Sequence, residues 1–132
     1  MTETEAEAFV RKHWERAYVR FPTHSYANET WEYQLGSITK DGFRTPDEAW
    51  LAAAAFTEQR REEIRQVERE IEVLLPRFGK EDDWRAWAQN GWSKPLHTAA
   101  SVREHHAWAR ILASEQATLD ALRQGMKEAS DE

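Results

Sequence analysis

The chain contains no cysteine, which excludes disulfides and thiolate metal ligands and predicts a protein of a reducing, cytoplasmic compartment. No apolar run approaches the roughly 20 residues that span a bilayer. The opening stretch Met1-Thr2-Glu3-Thr4-Glu5 is acidic and has no apolar segment of the kind a secretory signal carries. Positive charge is in deficit, with 18 Lys and Arg against 24 Asp and Glu and a net charge of −6, which disfavours non-specific binding to nucleic acid or an anionic membrane. Glycine is scattered at 36, 42, 79, 91 and 125, so no phosphate-cradling loop is present.

Catalytic patterns are missing too. Ser93, Lys94 and His97 lie near one another without forming a nucleophile elbow. His105 and His106 are consecutive and project about 100° apart on a helix, whereas helical metal pairs stand four residues apart. His105 lies on an apolar seam and is expected to be a hydrogen-bonded core or interface residue. No cofactor and no metal is expected, and the chain is not expected to be an enzyme.

What the sequence does have is tryptophan, seven in 132 residues. Indole is costly to expose, and its N–H wants a partner, so Trp collects in cores, interfaces and stacking sites. Trp14, Trp31, Trp50 and Trp108 fall at positions that local patterns send inward. Trp84, Trp87 and Trp92 fall within nine residues on a short irregular segment that no pattern explains.

The expected architecture is one domain over 1–132, α+β in class and predominantly α. A helix is expected over 4–21, opened by a Thr4–Glu7 capping box and stopped by Pro22. A β-hairpin is expected over 30–44, because Trp31, Tyr33 and Leu35 alternate with polar residues. Asp41-Gly42 would form its turn, and a third strand could start around Tyr26. Thr45, Pro46 and Glu48 open a long helix over 46–75. Its second half steps Ile64, Val67, Ile71, Leu74. Asp82 or Asp83 caps a short helix that Asn90-Gly91 closes. Ser101 and Glu104 open the last long helix, about 101–125, with a seam His105, Trp108, Leu112, Glu115, Leu119, Leu122, Met126. The two narrow seams invite mating with each other or with a second copy of the chain. The acidic tail 127–132 is expected to fray.

Two sets of residues could carry function. Trp84, Trp87 and Trp92, together with the acids Glu62, Glu63 and Glu70 of the long helix, suit a protein-contact surface. Arg85, Asn90, Trp92, Arg103 and Arg110 suit a pocket that stacks a base and holds a phosphate. The segment Phe43-Arg44-Thr45-Pro46-Asp47-Glu48-Ala49-Trp50, after a Trp-x-Tyr-x-Leu-Gly strand and before a Glu/Arg-rich helix, resembles small phage- or prophage-encoded proteins. That resemblance implies a small accessory or anti-defence protein acting by binding. The leading expectation is therefore a non-enzymatic binding protein working through protein–protein contacts, as an inhibitor of a host defence system. A nucleotide-binding or sequestering protein and an oligomeric assembly protein remain as alternatives.

Overall fold

The computed structural model describes residues 1–21, 30–79, 83–90 and 98–127. Among the described residues, four α-helices and one three-stranded antiparallel sheet make the fold α+β and mainly α. The chain divides into two compact units: residues 1–62 with the segment from Arg123 onward, and Glu63–Leu122. No helix among the described residues is long and apolar enough to cross a membrane.

In the first unit, α1 (Glu3–His13) opens with a capping box two residues earlier than expected. The Thr2 hydroxyl accepts from Glu5 N at 3.2 Å, and the Glu5 carboxylate accepts from Thr2 N at 2.8 Å. Hydrogen bonding from the Thr2 backbone, then from its side chain, holds the Glu5 carboxyl below its usual range. The helix also ends early, at an extended Trp14, and Ala17–Arg20 forms strand β1. The helix expected over 4–21 is therefore helix only as far as His13, and Ala17–Arg20 of it is strand. Ala17, Tyr18 and Phe21 fit helical spacing, but Tyr18 and Val19 favour strands, and pairing with β2 decides between the two.

Strands β2 (Trp31–Leu35) and β3 (Ile38–Phe43) form the expected hairpin with a different turn. Leu35 faces Ile38, so the two-residue loop is Gly36-Ser37, with Gly36 at φ +61°. Glycine in the first loop position suits the turn twist that matches paired strands. Asp41-Gly42 lies inside β3 instead. Pairing slips by one residue between Trp31/Phe43 and Tyr33/Lys40, and Gly42 at φ +99° absorbs this bulge. The third strand is β1, which pairs with β2; the strand expected around Tyr26 lies outside the described residues.

The inward face of the sheet joins Ala6, Val10 and Trp14 with Trp50, Ala53 and Ala54 of α2 (Pro46–Leu74). The outward face carries direct cross-strand pairs. Tyr18 donates to Gln34, and Arg20 binds Glu32 at 2.9 Å, which raises the guanidinium's affinity for its proton. The start of α2 is as expected, with Glu48 N donating to the Thr45 hydroxyl at 3.1 Å. The Glu48 carboxylate reaches Arg44 N at 3.0 Å.

The chain's late segment completes this unit. Glu15 N donates to Gly125 O at 3.1 Å and Lys127 N to His13 O at 2.9 Å, so carbonyls and amides left over at the end of α1 find partners there. Met126 bridges to Trp14 and does not extend the last helical seam. Lys127, the first residue of the tail expected to fray, also places its Nζ 2.8 Å from Arg11 O. Residues 128–132 of that tail lie outside the described residues.

In the second unit, α2 ends in a 3-10 turn, Leu75–Arg77, where Pro76 stops the α pattern. Helix α3 (Trp84–Asn90) is capped by Asp83, whose carboxylate accepts from Arg85 N at 2.9 Å. Helix α4 (Ala99–Arg123) starts two residues before the expected Ser101, because Thr98 serves as its cap, accepting from Ser101 N at 3.1 Å. The two seams do meet: Ile71 and Leu74 pack against a cluster that includes Ala109 and Leu112.

Candidate functional site

The second unit holds most of the residues singled out as candidates. Trp84 and Trp87 stand three apart on α3 and so lean toward one side of it. Only one of them goes fully inside. Trp87 is 0% exposed and sits in a core with Phe78, Ala109 and Leu112. It therefore cannot supply the contact surface expected of it; it is the centre of the unit. Burial of one large indole on a seven-residue helix also explains why so short an element holds its place.

Two imidazoles enclose that indole. His105 lies against Trp87 with ring centres 4.8 Å apart and planes at 30°, and His106 meets it edge-on at 5.2 Å and 78°. His105 also touches Phe78 and Trp108. The Nδ1 of His105 lies 2.7 Å from Ser101 O, and the Nδ1 of His106 lies 2.8 Å from Trp87 O. A carbonyl only accepts, so both Nδ1 atoms donate, and this orients both rings. The hydrogen bond expected of His105 is present, on a ring that is half-buried. Among the described residues, no three His, Asp or Glu side chains converge as a metal site would need.

Trp84 is half-buried at the edge of the cluster, with the Arg85 guanidinium 4.6 Å from its ring centre. Arg77 covers the half-buried Trp108 in the same way at 4.8 Å. Such cation–π contacts hold both partners in place and leave guanidinium N–H groups facing outward. Arg103 and Arg110 are exposed on α4. Trp92 lies outside the described residues, as does the side chain of Asn90, so two members of the nucleotide set fall outside them. Glu62, in the first unit, and Glu63 and Glu70, in the second, are exposed residues of α2.

The structure adds residues that the sequence pattern passed over. Val73 is 65% exposed, Ile111 47% and Leu75 42%, all in the second unit. Val73 and Ile111 stand off their helices' seams, and an apolar side chain off the seam is the signal that was available. Arg77, next to Pro76, carried no signal beyond its charge. No family model, curated protein or solved structure matches this chain.

Proposed function

We propose that this chain is a binding protein without catalytic activity that acts through contacts with another protein, and that the second unit carries the contact. The observation that supports this most is the kind of side chain that unit exposes. Val73, Leu75 and Ile111 stand in solvent, and Trp84 and Trp108 are half-exposed beneath Arg85 and Arg77. Arg and Trp are enriched among residues that dominate protein interfaces. The resemblance to small phage-encoded accessory proteins extends the proposal to an inhibitor of a host defence system in the cytoplasm. Self-association is the competing use of the same surface.

Affinity capture from a host lysate tests it, with Val73→Arg and Trp84→Ala as controls. A stoichiometric partner should be retained by the parent chain and lost by both variants, while their helical circular dichroism stays unchanged. Capture that survives both substitutions overturns the assignment of the surface. Light scattering that gives a monomer at high concentration removes self-association. A thermal shift with mono- or dinucleotides would favour the small-ligand alternative.

A further inference from the structure

Arginine lies over an aromatic ring in both units, but what its guanidinium meets beyond the ring differs. In the first unit the Arg11 guanidinium is 5.2 Å from the Trp50 ring centre and also binds the Glu7 carboxylate at 2.9 Å. Arg20 is 5.4 Å from the Tyr18 ring centre and binds Glu32 at 2.9 Å. Arg60, over Phe56, has its Nε enclosed. In the second unit Arg77 over Trp108 and Arg85 over Trp84 are both exposed. Among the described residues, no carboxylate lies within ion-pair distance of either. Asp83, two residues from Arg85, instead accepts from the Arg85 backbone N–H.

A guanidinium held over an indole keeps its N–H fork at the rim, where it matches a carboxylate through two parallel hydrogen bonds. Apolar side chains accompany the first of these forks. Leu75 and Arg77 belong to one 3-10 turn, and Ile111 stands three residues from Trp108 on α4. The Arg77–Trp108 contact therefore joins the turn that carries exposed Leu75 to the helix face that carries exposed Ile111. Trp84 and Trp108 pack against the same cluster of Phe78, Trp87, Ala109 and Leu112, so one core carries both forks. The local charge has the matching sign. Residues 73–110 hold six Lys and Arg against four Asp and Glu, in a chain whose net charge is −6.

We propose that the partner segment bound by the second unit is acidic, an inference that rests on the protein-contact reading above. Asp or Glu carboxylates of the partner seat on the forks of Arg77 and Arg85, and apolar side chains beside them cover Leu75 and Ile111. The acidic remainder of the chain repels such a segment, which restricts where it docks.

Selection of displayed random peptides on the immobilised full chain tests the acid preference, with enriched sequences synthesised and titrated by fluorescence anisotropy. Enriched peptides should hold several Asp or Glu beside Leu, Ile or Phe, a readout that depends on no variant. Their Kd should rise about tenfold for Arg77→Gln and for Arg85→Gln, which lack the charged fork. Arg77→Lys should recover only part of the Arg77→Gln loss, because an ammonium supplies charge without the fork. Circular dichroism of these variants should match the parent, since both arginines are exposed. Enriched peptides that are neutral or basic, or that bind both Gln variants as tightly as the parent, overturn the acidic partner and leave the protein-contact reading standing. A chain that enriches no peptide but gives a thermal shift with inorganic pyrophosphate, lost in both Gln variants, overturns the two together.

Discussion

Among the described residues, each unit of this protein encloses one tryptophan almost completely, and the two are accommodated by different means. Trp14 is 1% exposed, and its indole N–H donates to the buried Thr57 hydroxyl at 2.9 Å. Thr57 in turn donates to Ala53 O at 2.7 Å, so a chain of polar groups crosses the first core with each member satisfied. Against the ring of Trp14 lie Gly36 and Gly125, close enough that a Cβ on either would meet that ring. Trp87 is held by rings instead, between His105 and His106, which are themselves fixed to backbone carbonyls. The first tryptophan is seated by backbone and a hydroxyl far away in sequence; the second is seated by two consecutive side chains of another helix.

Truncating the two indoles should produce the largest effects and test whether both are equally central. Trp87→Ala and Trp14→Ala should each cost about 3–5 kcal/mol. Small domains have only about 5–15 kcal/mol in total, so partial unfolding at room temperature is the expected outcome for either. Denaturant titration with circular dichroism reads both. A Trp87→Ala protein that keeps the parent midpoint would show that the second unit is not organised around this residue. The comparison between the units would then collapse.

Smaller changes separate the two modes of support. Thr57→Val keeps the side chain's shape but removes the acceptor for the Trp14 N–H, and should cost about 1–3 kcal/mol. Gly125 sits at φ +81°, and a Cβ there would lie 3.6 Å from Gly36 Cα and 3.7 Å from the Trp14 ring. Those are ordinary contacts, so Gly125→Ala should cost about 1–2 kcal/mol through its left-handed backbone. Thermal melts of the two variants check both figures. A Gly125→Ala protein as stable as the parent would mean that the chain's late segment does not support the Trp14 core.

The same contrast governs what the sequence could convey. The second unit's α3 and α4, and α2 that enters it, are local structures, visible in capping residues and in 3-4 spacing from Ile64 to Leu74 and from Trp108 to Leu119. The first unit depends on pairings over long separations. Nothing near Ala17 announces that it faces Leu35, and nothing near Gly125 announces that it abuts Gly36. A helical reading of 4–21 and a turn at Asp41-Gly42 were therefore locally reasonable and globally displaced. The candidate surface was legible only in part. Pattern analysis isolated Trp84 and Trp87 as unexplained, but which of two residues three apart points inward is decided by His105 and His106, about 20 positions away.

Each unit also contains a glutamate whose carboxyl is held above the usual range, which sharpens the comparison at its finest level. In the second unit it is Glu115, raised first by hydrogen bonding to Glu70, then by burial, then by the Glu70 charge. In the first unit it is Glu3, in the first turn of α1, raised first by partial desolvation, then by hydrogen bonding to Asp47 in the first turn of α2, then by the charges of Asp47 and Glu7. The sign matches that of Glu115: this contribution to stability is present at acid pH and lost as pH rises through the raised value. The surroundings differ. Glu3 and Asp47 both sit at helix N-termini, where the macrodipole favours negative charge, and solvent reaches them. Glu3→Gln should therefore give a smaller gain at neutral pH than Glu115→Gln, and one that disappears in about 1 M salt, where screening acts over roughly 3 Å. The gain from Glu115→Gln should persist in salt, because the enclosed Oε2 is out of reach of the ions. Urea midpoints of both variants at low and high salt measure this. Equal salt sensitivity would place the Glu115 carboxyl in solvent and remove the distinction between the two.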